Sequence, residues 1–142
     1  MPVVLKVKKM HPDAIVPSYA HPGDAGMDLY CYETITIKKG ERVKIGTGVA
    51  IELPEGYVSL IWDKSGLATH HGLTNLGGVI DAGYRGEYFV TLLNVGDADY
   101  LLEKGHKIAQ LLIQKVEHAQ IEEVAELMDS PRGGGGFGST GK

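Results

Sequence analysis

The sequence predicts an all-β fold, arranged as a sandwich, a jelly roll or a related barrel. Short β-branched and apolar segments recur along the chain, turn residues separate them, and helical periodicity is sparse. Short strands with this spacing and with glycine- or proline-rich turns are typical of such folds. The 142 residues suit one compact domain with a sizeable core. We therefore expect a single β domain.

Five strands are predicted from period-two alternation or from runs of β-branched and apolar residues. In chain order they cover residues 34–37, 43–53, 57–62, 88–94 and 108–116. Gly46 and Gly48 interrupt the second strand, which we therefore expect to be bent or bulged. Trp62 and Tyr57, at the two ends of the third strand, are expected to be packing residues.

Two stretches have helical character. Residues 65–69 can form a brief helical turn with Ser65 near its N-terminus. In residues 116–128, Ile121, Val124 and either Leu127 or Met128 recur at helical spacing among Glu and Ala residues. This local pattern favours a second helix.

The charge and cysteine content exclude several classes of protein. A net charge of −4 argues against a protein that coats nucleic acid, because such proteins normally carry a basic face. An anionic substrate is still compatible with a local cluster of Lys, Arg and backbone amides. Cys31 is the single cysteine, which excludes an internal disulfide and indicates a reducing compartment. Without a leader or a long apolar run, a soluble, cytoplasmic protein with no membrane partner is expected.

The chain ends in a glycine-rich segment, residues 131–142, which we call the C-terminal arm. Glycine- and serine-rich ends are usually flexible linkers. However, Arg132 can form a forked hydrogen bond with phosphate, and Phe137 offers a face on which a base can stack. Amides that lack bulky side chains can also contact phosphate oxygens. By itself the composition favours phosphate binding only slightly over a linker.

A second glycine-rich cluster spans residues 75–87. A β-hairpin with Asp81 as a turn former is the simpler interpretation. In the functional interpretation, the apolar neighbours Val79 and Ile80 desolvate Asp81 and tune it as a general base. Tyr84 would then wall a pocket, and backbone groups at the glycines would pair with the edge of a nucleobase.

Three smaller groups could contact phosphate or a metal. Asp28 lies between apolar residues and is either a strand-end cap or a group facing the water shell of a metal. Ser65 and Gly66, at a possible helix start, form a favourable anion site. Gln110 enters a strand and could donate its amide to phosphate. A structural role is the simpler interpretation of each group alone.

Together and in this order, these segments resemble the five sequence motifs of the trimeric dUTPase family. The resemblance extends from about residue 25 to residue 141, and the third and fifth motifs are highly specific. It implies a distorted jelly-roll (β-clip) catalytic domain at residues 1–130 and a flexible C-terminal arm at 131–142 that closes over the active site. It also implies a homotrimer with active sites between subunits. Residues 116–128 should then be mostly extended, against their local pattern.

The resemblance further implies hydrolysis of dUTP to dUMP and pyrophosphate, with Mg²⁺ bound mainly by the three phosphates. Asp81 would be the general base that activates a water for attack on the α-phosphorus, and Asp28 would support the metal through water. Tyr84 would pack under the deoxyribose. The expected substrate-binding residues are Lys64, Ser65, Gly66, Asn75, Gly78, Val79, Tyr84, Gln110, Arg132, Phe137, Gly138, Ser139 and Thr140.

Three positions depart from the family pattern. Lys64 stands where Arg usually precedes the motif serine, and Asp63 stands where Pro is common. Lys cannot form the bidentate fork of Arg, so we expect an altered phosphate or intersubunit contact there. Gly83 occupies a position often held by a second Asp.

The sequence leaves two alternatives to dUTP hydrolysis. A dCTP deaminase shares the fold, but it needs a Glu where this chain has Thr91, and it lacks the arm. A non-catalytic trimeric nucleotide sensor or structural jelly roll is the rival from another class. The presence of Asp81, Tyr84 and the arm argues against that second interpretation.

Overall fold

The computed structural model describes residues 2–141, within which there are ten β-strands and one short helix. In chain order these are β1 (Lys6–Lys9), β2 (Met27–Tyr30), β3 (Ile35–Ile37), β4 (Arg42–Glu52), β5 (Tyr57–Trp62), α1 (Ser65–His71), β6 (Leu73–Leu76), β7 (Val79–Asp81), β8 (Glu87–Asn94), β9 (Tyr100–Leu102) and β10 (Lys107–Lys115). The predicted all-β class is confirmed. None of the helical structure in residues 2–141 is long and apolar enough to cross a membrane.

Eight strands form two four-stranded antiparallel sheets. The first sheet has the order β1-β4-β8-β6, the second has the order β2-β10-β5-β7, and β3 pairs with β9 in a small third sheet. The pairing of β4 with β8 changes register between Gly46 and Ala50. This irregularity confirms the bend that the glycines of β4 predict. Strands β6 and β7 each end a sheet, so each has one free edge.

The sheets enclose a common hydrophobic core. Side chains on β8 alternate, with Tyr88, Val90 and Leu92 buried and Phe89 partly exposed. Each fully buried Leu or Ile contributes about 1.5–3 kcal/mol relative to an exposed one. The largest fully buried side chains are Leu29, Ile37, Ile45, Ile51, Leu73, Tyr88, Leu92, Leu102, Ile108 and Leu111.

Buried polar groups within this core find partners. The Tyr88 hydroxyl lies 2.8 Å from the Ser59 hydroxyl and so joins β8 of the first sheet to β5 of the second. The Asn94 amide donates to the carbonyl oxygens of Ile37 and Ala98, both at 2.9 Å, and accepts from the Gly96 N–H at 2.9 Å. Satisfied buried groups of this kind fix how elements pack on one another.

Two local predictions of secondary structure are wrong, and strands β1, β2 and β9 were not predicted. Residues 75–87 do not form a hairpin, because β6 pairs with β8 of the first sheet and β7 pairs with β5 of the second. The Gly77-Gly78 turn instead carries the chain from one sheet to the other. Residues 116–128 contain no helix. Ile121 is 93% exposed, so the apolar stripe has no surface of its own chain to pack on, and such packing supplies most helix stability.

Candidate active site

The second sheet brings three of the candidate segments together. Gln110 of β10 pairs with Asp28 of β2 on one side and with Trp62 of β5 on the other. After Trp62 the chain turns through Asp63 and Lys64 into α1. The strands therefore place Asp28, Gln110 and the start of α1 at one end of the sheet, which we call the phosphate side.

Asp28 is a buried carboxylate held by two lysines. The Lys64 ammonium donates to Oδ1 at 2.6 Å, and the Lys107 Nζ lies 3.0 Å from Oδ2. Burial raises the pKa of Asp28, but the hydrogen bonds and positive charges of Lys64 and Lys107 outweigh it and hold the pKa below 3.8. Lys64 therefore contacts a carboxylate in this structure, in addition to any phosphate it would bind.

The start of α1 offers free backbone donors. Ser65 is its first residue, which confirms the predicted short helix, and its first turn carries no acidic side chain. The first intrahelical bond runs from the Ala68 N–H to the Lys64 carbonyl at 3.0 Å. The N–H groups that precede it, those of Ser65 and Gly66 among them, have no acceptor within the helix and can face an anion.

Gln110 is fixed beside this turn. Its side-chain amide donates to the Asp63 carbonyl at 2.9 Å. A Cβ at Gly26 would collide with the Gln110 side-chain oxygen, so a larger residue there would displace the Gln110 amide. One of the two amide hydrogens of Gln110 is thus already used, and the other is available to a ligand.

A second group, which we call the base side, surrounds the Gly77-Gly78 turn. Asn75, Gly78 and Val79 line a cleft of about 340 Å³ together with Trp62 and Asp63. That volume falls in the range of about 300–1,000 Å³ found for small-molecule sites. The expected base-reading residues are therefore close together on one protomer.

Hydrogen bonds fix the shape of this turn. The Asn75 amide donates to the carbonyls of Ile61 at 3.2 Å and Gly77 at 3.1 Å, and the Ile61 N–H donates to the Gly78 carbonyl at 2.8 Å. Gly78 has a φ of +113°, and a Cβ there would lie 2.7 Å from the Ile61 carbonyl oxygen. Only glycine allows this approach. Within residues 2–141 the buried Asn75 Oδ1 has no hydrogen-bond partner, which leaves one unused acceptor.

Asp81 and Tyr84 share a neighbouring cleft with Val79, Glu87 and Phe89. The Tyr84 hydroxyl donates to the Glu87 carbonyl at 2.7 Å, so the ring is held in one orientation. Asp81 is exposed and Val79 is 71% exposed, so the expected desolvation of Asp81 is absent from the single chain. The reason is that β7 is an edge strand, covered by a neighbour on one side only.

The described part of the C-terminal arm makes no hydrogen bond to either group. Arg132 donates from Nε to the Gly135 carbonyl at 2.5 Å, and the Ser139 N–H donates to the Gly136 carbonyl at 3.0 Å. Phe137 is fully exposed. In the part of the arm that the structure describes, every recorded hydrogen bond stays within residues 130–141. Arg132, Phe137, Gly138, Ser139 and Thr140 are thus not brought to Asp81 by their own chain, and Lys142 lies outside the described residues.

Three residues lie beside the candidate site without having been predicted there. Trp62 is 56% exposed and lines the base-side cleft, so its prediction as a packing residue is wrong. Asp63 holds the Asn75 N–H, and Lys107 lies against Asp28, and neither contact was predicted from the sequence. The position of Trp62 at the end of a strand, directly before two charged residues, was the available signal.

Comparison with known proteins identifies the family. A family model described as dUTPase matches residues 12–141. The chain belongs to the dUTPase family. It is 53% identical to the deoxyuridine 5'-triphosphate nucleotidohydrolase of Thermobifida fusca (strain YX), over 98% of this chain and 79% of that protein. It is 52% identical to the protein of that name in Clostridioides difficile, over 96% of this chain and 97% of that one.

Solved dUTPase structures resemble the chain over almost its whole length. The Staphylococcus bacteriophage 80alpha dUTPase with dUpNHpp has a TM-score of 0.92 and 32% identity, covering 98% of this chain and 99% of that one. A mutant dUTPase from phage phi11 of S. aureus, with a structural Mg(II) ion, has a TM-score of 0.81 and 29% identity, covering 87% and 97%. Because dUTPases have a jelly-roll-like β fold, the predicted jelly roll is confirmed.

Proposed function

We propose that this dUTPase-family chain hydrolyses dUTP to dUMP and pyrophosphate, with Asp81 as the general base that activates the attacking water. One observation supports the assignment of Asp81 as the general base. Val79 lines both the base-side cleft and the neighbouring cleft of Asp81 and Tyr84. A nucleotide whose base occupies the first cleft would therefore place its sugar and innermost phosphate beside the second. An exposed carboxylate at that point can accept the proton of a water.

Base and sugar recognition follow from the same two clefts. Asn75, Gly78 and Val79 would read the edge of uracil with side-chain and main-chain groups. The ring of Tyr84, held by the Glu87 carbonyl, would pack under the deoxyribose. A 2′-hydroxyl or a 5-methyl group would collide with such fixed walls, and cytosine would leave polar groups unpaired. We expect dUTP to be preferred over UTP, dTTP and dCTP.

The triphosphate would bind to the phosphate side. Ser65 and Gly66 offer backbone N–H groups at the start of α1, and Gln110 has a free amide hydrogen. The Lys64 ammonium donates to Asp28 and has further hydrogens that would contact phosphate. Phosphoryl transfer depends on this kind of positioning and charge neutralisation more than on covalent chemistry.

Magnesium fits this site as a phosphate-bound ion. Residues 2–141 contain no group of three His, Cys, Asp or Glu side chains that could cage a metal. Mg²⁺ characteristically keeps waters and binds substrate phosphates through few protein carboxylates. Asp28 would hold one of those waters, and the bound ion would neutralise charge on the triphosphate.

We infer that the working enzyme is a homotrimer with active sites between subunits. Ile121, Leu127 and Met128 are at least 85% exposed, and strand β7 has a free edge. Exposed apolar side chains in such a row need a partner surface. A neighbouring subunit would supply it, would desolvate Asp81, and would receive the arm. Arg132, Phe137, Gly138, Ser139 and Thr140 would then cover the nucleotide and exclude water.

The general-base assignment is tested with Asp81→Asn. We expect turnover of dUTP to fall about 10²–10⁴-fold, the usual contribution of a positioned base, while binding of a non-hydrolysable dUTP analogue changes little. Pyrophosphate release and analogue titration measure the two effects. Asp97→Asn, at an exposed carboxylate in the loop before β9, is the matched control. Near-normal pyrophosphate release by Asp81→Asn would refute the assignment.

A further inference from the structure

Asp63 joins two parts of the site that lie on different sheets. It follows Trp62, the last residue of β5, and precedes Lys64 at the start of α1. Its carboxylate Oδ1 accepts the Asn75 backbone N–H at 2.5 Å, and Oδ2 accepts the Thr74 hydroxyl at 2.6 Å. Its main-chain carbonyl accepts the Gln110 amide at 2.9 Å. Asp63 therefore contacts the base side through its side chain and the phosphate side through its backbone.

The carboxylate caps an edge strand. β6 is the last strand of the first sheet, so one edge of it lacks a neighbouring strand. The Asn75 N–H that donates to Asp63 points to that edge. Without the carboxylate this N–H would lose its partner, and a charge-assisted hydrogen bond of this length is stronger than a neutral one. Asp63 thus holds β6 of the first sheet against the end of β5 of the second.

The hydrogen bond from Asn75 to Asp63 helps to fix the shape of the base-side cleft. Asn75, whose N–H is held, is the residue that fixes the Gly77-Gly78 turn through the Ile61 and Gly77 carbonyls. Asp63 also lines that cleft. A proline at position 63, which is common in this motif, has no side-chain acceptor and could not hold Thr74 or Asn75. The cap therefore requires a side-chain acceptor at position 63.

We propose that Asp63 is a positioning residue for dUTP binding, a role that rests on the proposed function. Asp63 fixes the base-reading turn through Asn75 and the phosphate-side amide through Gln110. It need not touch the reacting atoms. Loss of the carboxylate would leave the base-side wall loose, and bound dUTP would have to order it, whereas the main-chain carbonyl that accepts from Gln110 would remain. An interaction lost equally from the ground state and the transition state raises KM and leaves kcat unchanged.

The test compares Asp63→Ala with Asp63→Asn. Asp63→Ala removes both acceptors, and we expect KM for dUTP and the Kd of a non-hydrolysable dUTP analogue to rise about tenfold or more, with kcat within about threefold. A tenfold change corresponds to about 1.4 kcal/mol. Asn keeps one oxygen for the Asn75 N–H, and its amide can donate to the Thr74 hydroxyl, so Asp63→Asn should restore most of the binding.

Asp99→Ala is the matched control. Asp99 also caps a backbone N–H, that of Lys39 at 2.8 Å, next to the small third sheet. We expect this variant to lose comparable stability in urea unfolding while KM stays unchanged. If Asp63→Ala leaves KM and the analogue Kd at wild-type values, or lowers only kcat, the positioning role is wrong.

The outcomes also separate this role from the proposed function. A wild-type enzyme that does not hydrolyse dUTP would reject both. If the wild type hydrolyses dUTP and Asp63→Ala has the same KM and analogue Kd as the wild type, only the positioning role would be rejected. Should Asp63→Ala fail to fold, Thr74→Val removes one of the two side-chain bonds, and a KM and an analogue Kd equal to those of the wild type in Thr74→Val would overturn the proposal.

Discussion

Replacing Lys64 by Met should destabilise the protein through Asp28. The substitution keeps the length and apolar part of the side chain but removes the ammonium that lies 2.6 Å from a carboxylate that is only 4% exposed. Leaving one partner of a buried ion pair uncompensated costs about 3–5 kcal/mol. Here Lys107 still lies 3.0 Å from the same carboxylate, and the Lys64 side chain is 31% exposed. We therefore expect a loss of about 1.5–3 kcal/mol.

This loss should depend on pH. The Asp28 pKa is lowered in the folded protein from its usual 3.8, so the ion pair contributes fully above pH 3.8. The contribution disappears as the pH falls through the folded value and the carboxylate is protonated. The difference between the wild type and Lys64→Met should accordingly be full at neutral pH and should shrink below pH 3.8.

Urea unfolding at a fixed protein concentration measures the effect, because oligomer formation makes apparent stability concentration-dependent. Lys6→Met is the matched control, since Lys6 and Glu52 form an exposed pair at 3.3 Å. Such surface pairs contribute about 0–1 kcal/mol. Equal losses in the two variants, or a loss for Lys64→Met that does not change with pH, would refute the reasoning.

Two further predictions concern the arm and the core. Deleting residues 132–142 should leave the circular dichroism spectrum unchanged, because the recorded hydrogen bonds of the arm are internal, but should lower pyrophosphate release at least about tenfold through the lost phosphate contacts. A truncated protein with full activity would make the arm a linker. Tyr88→Phe should lower the free energy of unfolding by about 1–2 kcal/mol, because the buried 2.8 Å contact with Ser59 is lost. An unchanged urea midpoint would contradict this role of the hydroxyl.

The sequence predicted the fold where the pattern is local. Strand β5 has its predicted bounds, and the glycines of β4 predicted its irregularity, because apolar runs and glycine positions are read from a few neighbouring residues. Strands β1, β2, β7 and β9 were not predicted because three or four residues show too little of the period-two alternation. The partners of β6 and β7 were wrong because strand pairing depends on the whole fold. Residues 116–128 form no helix despite their local pattern, because their apolar side chains have no surface of their own chain to pack on.

In the candidate site, too, some features were predictable from local sequence and others depend on the whole fold. The order of the motifs named Asn75, Gly78, Asp81 and Gln110 as candidates, and the structure places Asn75 and Gly78 in one cleft and Asp81 in the next. The sequence could not predict that Lys64 contacts Asp28, because 36 positions separate them and only the pairing of β2 with β10 and of β10 with β5 brings them together. The desolvation expected at Asp81 is also absent from a single chain, because it would need a surface that covers β7.

The most direct measurement is a crystal structure of the enzyme with Mg²⁺ and a non-hydrolysable dUTP analogue. We expect uracil between Asn75 and Val79, the ring of Tyr84 under the sugar, and an Asp81 oxygen within about 2.6–3.2 Å of a water in line with the α-phosphorus. A structure in which Asp81 lies far from the α-phosphorus, and another group holds the attacking water, would contradict the account.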